Sequence, residues 1–273
     1  MKQLHGIRVL LALIFLLASI ACIVFGVKVH PMATVAYHSQ ILLSSLAASA
    51  GVSLIWLGIT LLFGRFYCAV VCPVGTITDI CAAISRKISR KPRHYSYRHP
   101  NPHRIHILWI YAICIFLAPP IFIYLTEPWH FTANIVNALR LSPSQSYWTE
   151  IGIGGVFGIA AGLISLIILC CVSALFGRRG CTSICPFGIA LGYVSDYSLF
   201  KLYIDHDACD ACGICEEVCS ASCVKTVSRY IDNQRCVRCL KCAAKCPREA
   251  IRFKMNPGRP ATPLFRRVKK SSR

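Results

Sequence analysis

Charge is what this sequence has least of. Only 15% of its 273 residues are Asp, Glu, Lys or Arg, against about 25% in an average soluble domain, and just 11 are acidic. A surface that poor in charge does not suit a soluble globular protein. Four long stretches, residues 9–27, 41–63, 105–125 and 151–176, carry no Asp, Glu, Lys or Arg at all. Histidine is also missing from their depths: His106 stands at the start of the third, and the others lie outside. A b-type haem held between spans needs such histidines, so no haem is expected.

What is present is apolar, basic and rich in cysteine: 55% hydrophobic residues, 30 Lys+Arg and 18 Cys. Each apolar stretch is near the 20 or so residues of helix that cross a bilayer. The expected fold is therefore mainly α, with a four-helix integral membrane domain over residues 1–200. The first stretch follows Lys2 and Arg8 and has small residues near Ala21; its length favours a retained signal anchor over a cleaved signal peptide. The fourth carries Gly154, Gly158 and Gly162 on one stripe, a small-residue pattern suited to close helix packing.

A formal charge of +19 would point to nucleic acid in a soluble chain. Here its distribution says otherwise. Eight basic residues lie in 64–104 and eighteen in 177–273, whereas the alternate loops hold one each, Lys28 and Arg140. The positive-inside rule then sets both termini and the 64–104 loop in the cytoplasm. The basic stretch 86–104 either holds that loop inside or touches anionic lipid headgroups. Its aromatics, Tyr95 and Tyr97, are too few for RNA, and no nucleic-acid partner is expected.

Residues 201–256 read as a small α+β domain, with strand pieces at Tyr203–Ile204, Val227 and Ile251–Phe253 around cysteine loops. Residues 257–273 read as a basic, flexible end. Within the domain Cys209, Cys212, Cys215 and Cys219 follow C-x2-C-x2-C-x3-C, and Cys236, Cys239, Cys242 and Cys246 repeat that spacing before Pro247. In bacterial two-cluster ferredoxins three cysteines of one run share a cluster with the fourth of the other. On that rule Cys209, Cys212, Cys215 and Cys246 hold one [4Fe–4S] cluster, and Cys236, Cys239, Cys242 and Cys219 hold a second. A zinc site would use two separated C-x2-C pairs and leave four thiols without a role. Disulfides are disfavoured in the cytoplasm. Ser220 replaces the usual proline after Cys219, and Cys223 is an alternative fourth ligand; Cys219 is preferred.

Two further cysteine pairs follow the second and fourth stretches. Residues 63–75 and 176–188 both fit F-G-R-x-x-C-x3-C-P-x-G, so the membrane domain is an internal repeat of two hairpins. A helical turn sets cysteines four apart on one face, and the proline suits the start of a new helix. Cys68, Cys72, Cys181 and Cys185 together would offer four thiolates to a metal or a third cluster; as separate pairs they are redox dithiols or structural thiols. Arg65 and Arg178 either stabilise that negative charge or anchor the interface. The remaining cysteines, Cys22, Cys81, Cys114, Cys170 and Cys171, read as small hydrophobes.

Iron–sulfur centres joined to a membrane domain imply exchange of electrons with a lipid-soluble carrier, and quinone is the usual one. With no relay across about 30 Å of hydrocarbon, its expected place is near the cytoplasmic ends of the spans. His94, His99, His103 and His106 lie on that side, and His30, His38, Glu127 and His130 on the other; none is singled out as the proton acceptor.

Four spans, paired C-x3-C-P motifs and a C-terminal double-cluster module resemble the NapH-type membrane component of quinol dehydrogenases, with relatives of the MauN and NosR-like kind. The resemblance covers about residues 5–255, and CAVVCPVGTITD at 68–79 looks like the family's first motif. It implies a multi-pass protein of the bacterial cytoplasmic (inner) membrane, with the ferredoxin domain cytoplasmic. Such a protein would pass electrons between the quinone pool and a partner iron–sulfur or cytochrome redox protein. The related copper-oxidase assembly proteins add a C-terminal domain that does not follow here. The alternative function is a maturation factor supplying electrons to a metal centre or thiol of a respiratory enzyme.

Overall fold

The computed structural model describes residues 1–25, 50–88, 95–117, 127–140 and 155–255. The expected basic end at 257–273, Gly154, and part of every apolar stretch lie outside these residues. Among the described residues two helices are long and apolar enough to cross a bilayer: α1 (Lys2–Phe25) and, within α7 (Gly155–Phe176), Gly158–Phe176. The second and third stretches contribute the shorter apolar helices α2 (Ala50–Phe63) and α5 (Arg104–Leu117) before running on into residues outside the description. The protein is thus mainly helical, with helices long enough for two of the four expected crossings among the described residues. On α7, Leu163, Ile164, Ile167 and Ile168 are exposed, an apolar face that suits lipid rather than water.

One helix was not foreseen. Residues 127–140 read as part of an outer loop, but Pro128 opens α6 (Pro128–Leu139), its missing N–H costing nothing at a helix start. This helix packs on α7 and α1. At Gly162 an added Cβ would stand 2.5 Å from the Asn134 carbonyl oxygen and 2.6 Å from Ala138 Cβ. The glycine stripe is helix packing at that position, as expected. Trp129 of α6 is buried with Cys22 and Ile23 of α1.

The sequence repeat is a structural repeat. After α2 the chain turns at Gly64 (φ +79°), makes the short helix α3 (Phe66–Val70), and restarts at Pro73 as α4 (Pro73–Ile88). After α7 it turns at Gly177 (φ +60°), makes α8 (Arg179–Ser183), and restarts at Pro186 as α9 (Pro186–Asp196). Both glycines adopt the left-handed conformation that a side chain resists.

The tail begins with β1 (Phe200–Ile204), which pairs antiparallel with β4 (Ile251–Met255), Ile204 facing Ile251. Between them lie α10 (Ile214–Glu217), the ribbon β2 (Val224–Lys225) and β3 (Tyr230–Ile231), and α11 (Lys241–Lys245). The expected strand at Val227 is corrected: that residue is 92% exposed in the turn between β2 and β3. Leu202, Ile204, Val224, Ile231 and Ile251 form a small core, and much of the rest of it is cysteine. A domain with so little aliphatic core relies on bound groups for stability.

Candidate functional site

Cys68 lies in α3 and Cys72 immediately before Pro73; Cys181 lies in α8 and Cys185 immediately before Pro186. The two turns close identically. The Val71 and Cys72 amides both donate to the Tyr67 carbonyl (3.0 and 3.1 Å), and the Ile184 and Cys185 amides to the Gly180 carbonyl (2.9 and 3.1 Å). The four thiols come together from the two repeats: Cys72 feels Cys68, Cys181 and Cys185. Burial first, then the neighbouring thiols Cys68 and Cys181, push the Cys72 thiol well up. Burial and Cys181 push Cys185 up to about 12. Four thiols packed in this way repel one another once ionised, so the set is chemically suited to a positively charged metal centre. Among the described residues no three His, Cys, Asp or Glu side chains are placed to hold one metal ion.

Arg65 and Arg178 are 0% and 1% exposed, which is not how a snorkelling interfacial anchor sits. Each reaches across to the other repeat. Arg65 Nη2 donates to the Cys181 carbonyl (3.2 Å), and Arg178 Nη1 to the Cys68 carbonyl (2.9 Å). The glycine ending each motif makes room for this: a Cβ on Gly75 would stand 2.7 Å from the Cys68 oxygen, and one on Gly188 would collide with the Cys181 oxygen.

The two halves differ in how these cations are balanced. Arg178 Nε and Nη2 bind Asp79 (2.7 and 3.0 Å), which also takes a hydrogen bond from Arg8 Nη2 (2.8 Å). Burial would raise the Asp79 carboxyl, but Arg178 and then Arg8 hold it below the usual carboxylate range. Gly192 occupies the matching position of the second repeat. There the ferredoxin loop supplies the acceptors: Arg65 Nη1 donates to the Gln234 carbonyl (3.3 Å) and Arg104 Nη1 to Gln234 Oε1 (3.1 Å).

In the tail, Cys209, Cys212, Cys215 and Cys246 line one cleft, with Ile204 and Ile251 behind them. This is the first thiol set expected from the spacing. The Cys242 thiol lies among Cys219, Cys239 and Cys236, the second expected set. Both donor sets sit against apolar walls and fit an iron–sulfur cluster. Positive φ recurs at equivalent places in the two runs, at Ala211 and Gly213 around Cys212, and at Arg238 and Leu240 around Cys239. Such left-handed residues in a tight loop turn amides toward an enclosed anion, as the thiolate cage of a cluster would be. Cys223 Sγ lies 3.4 Å from Cys219 Sγ. The S–H of Cys223 lowers the Cys219 thiol, and it brings Cys236 down to about 6. Cys223 thus interacts with thiols of both runs.

The tail is locked to the repeats. A Cβ on Gly64 would meet Arg238 Nε at 2.5 Å, and one on Gly177 the Ser220 carbonyl at 2.8 Å. The Arg178 amide donates to that same Ser220 oxygen (3.0 Å). Tyr97 N–H donates to Glu216 Oε1 (2.8 Å) and Arg98 N–H to the Ser222 carbonyl (3.3 Å), while the Arg235 guanidinium lies over the Tyr97 ring. Residues 95–98 of the basic loop therefore strap the ferredoxin domain. Sequence reasoning missed this strap; it singled out Arg65 and Arg178 from their place in the repeat but not that each crosses to the other one. His5, which binds the Cys239 carbonyl through Nδ1 (2.9 Å), carried no motif at all.

A 4Fe-4S binding domain family matches twice, over residues 46–92 and 159–204, which are the two repeats. A second 4Fe-4S binding domain family matches residues 229–252, the second cysteine run. Among curated relatives, the putative electron transport protein YccM of Escherichia coli is 23% identical over 194 residues, 69% of this chain and 50% of that protein. Ferredoxin-type protein NapH of Haemophilus influenzae is 26% identical over 213 residues, 74% of this chain and 67% of that protein. Methylamine utilization ferredoxin-type protein MauN of Paracoccus denitrificans is 27% identical over 182 residues, 63% of this chain and 54% of that protein. The chain thus spans about half the length of YccM and of MauN. No solved structure matches it significantly.

Proposed function

Given that the chain belongs to the NapH/MauN-type 4Fe–4S proteins, we propose that it is a membrane-bound electron-transfer subunit of a quinol dehydrogenase. On this reading residues 1–200 cross the bacterial cytoplasmic membrane four times. Both termini and the ferredoxin domain, 201–256, are cytoplasmic, followed by a basic end at 257–273. Cys209, Cys212, Cys215 and Cys246 hold one [4Fe–4S] cluster, and Cys236, Cys239, Cys242 and Cys219 another. Cys68, Cys72, Cys181 and Cys185 hold a third. These clusters supply one-electron storage between quinol and a partner redox protein.

The observation that carries this reading is continuity. Both ferredoxin runs meet the paired C-x3-C-P turns, the second at Gly64–Arg238 and the end of the first at Gly177–Ser220, and Arg178 feels both Cys181 and Cys239. Cys212 of the first run is exposed, where a partner can approach. The protein's own groups do the rest. Arg65 and Arg178 fix the two membrane-side turns against each other, Cys223 donates to Cys219 and Cys236, and residues 95–98 hold the tail down.

The test is anaerobic purification with iron and sulfide analysis, followed by addition of menaquinol or ubiquinol. About twelve iron per chain supports three clusters, and about eight restricts loading to the tail. Appearance of reduced-cluster paramagnetic resonance on quinol addition is the expected result. Loaded clusters that active quinol leaves oxidised would overturn the quinol-linked function.

A further inference from the structure

We propose that the quinone headgroup binds in a cavity between α1, α4 and the second cysteine run, with His5 as its hydrogen-bonding partner. This inference rests on the quinol-linked reading above and gives it a location. The cavity measures about 260 Å³, below the roughly 300–1,000 Å³ of drug-sized sites and of a size for one ring. Ala12 and Leu13 of α1 and Ile80 and Ala83 of α4 form an apolar wall; His5, Thr76 and Cys239 bring polar atoms to it. Val9, Leu13 and Ile80 are each more than a third exposed, so an isoprenoid tail leaving the cavity meets apolar helix surface.

His5 Nδ1 faces a peptide carbonyl, that of Cys239, at 2.9 Å, so Nδ1 carries the proton and donates it. In the tautomer with the proton on Nδ1, Nε2 is an acceptor for a headgroup hydroxyl. The same imidazole is thus bonded to the main chain of a cysteine in the second run and lines the cavity. Of the charged groups around the cavity, one cation is already committed. Arg8 is already engaged by Asp79 and the Ala69 carbonyl, and Asp79 puts a carboxylate in the wall. Arg86 and Lys241 also line the cavity, which makes an anionic lipid headgroup the rival occupant.

The experiment uses the full, cluster-loaded chain in detergent and the fluorescent quinol analogue 2-heptyl-4-hydroxyquinoline N-oxide, whose emission is quenched on binding. Ala83→Trp fills the cavity from an exposed position, and His5→Phe removes the acceptor. Both are expected to keep wild-type iron content. Ala83→Trp should weaken binding at least about tenfold, and His5→Phe about three- to tenfold, the value of one hydrogen bond. Wild-type binding that neither variant weakens would overturn this location and leave the quinol-linked function standing. Displacement of the analogue by short-chain phosphatidylglycerol but not by decyl-ubiquinone would also overturn it, in favour of a lipid site. No quenching by the wild type, together with clusters that quinol does not reduce, would instead bring down the functional reading itself.

Discussion

Cys223 sits against thiols of both cysteine runs. It is 1% exposed and donates to thiols that belong to two different runs, Cys219 and Cys236. Hydrogen bonds to cluster sulfurs raise a reduction potential by stabilising the added negative charge. Cys223→Ala should therefore keep the iron content and lower the potential of one tail cluster, read by paramagnetic-resonance redox titration. Loss of about four iron instead would show that Cys223 is a ligand. Asp79 is the second telling residue. It alone balances Arg178 and Arg8, and its side chain keeps 28% exposure. Asp79→Asn leaves two buried cations with no carboxylate and should cost about 3 kcal/mol, the low end for a broken buried pair. Because the native carboxyl titrates below its unfolded value of about 3.9, this stabilisation is complete above pH 4 and fades as pH falls further. Melting of wild type and variant should thus differ at pH 7 and converge in acid.

At the scale of elements, the two left-handed glycines are joints between membrane and tail. A side chain at Gly64 meets both the cost of positive φ, roughly 1–2 kcal/mol, and Arg238 at 2.5 Å. Gly64→Val is expected to loosen the tail without unloading it: limited trypsin digestion should cut after Lys201, at the start of the tail, faster than in wild type, at unchanged iron content of the tail. Equal digestion rates would show that the joint tolerates a side chain. Helix α6 carries a parallel expectation. Gly162→Leu drives a side chain into the Asn134 carbonyl and should lower the melting temperature, as overpacking costs typically 1–3 kcal/mol.

At the scale of the whole molecule, what was legible in the sequence was whatever is encoded locally. The cysteine runs declare themselves because cluster loops need short spacings, and the cleft of Cys209, Cys212, Cys215 and Cys246 follows from one rule. The prolines announced α4 and α9 because proline belongs in a first turn. What stayed hidden depends on partners far along the chain. Arg65 meets Cys181, Arg178 meets Cys68, and His5 meets Cys239, and no local pattern predicts those pairings. Helix α6 escaped because it is only twelve residues long and His130, Thr132, Asn134 and Asn137 break up its apolar pattern. Tyr97 was weighed as a nucleic-acid platform and serves instead as the seat of a strap.

The crossed arginines have one more implication. Each repeat carries the clamp for the other, which is the reciprocity of a two-fold symmetric dimer interface. In a true homodimer both sides must bear the same residues. Joined in one polypeptide, they are released from that constraint, and the matching positions Asp79 and Gly192 have taken opposite characters. One side is balanced by its own carboxylate, while the other borrows acceptors from Gln234 of the ferredoxin domain. The tail therefore has one seat and not two: an interface built on symmetry has acquired a direction.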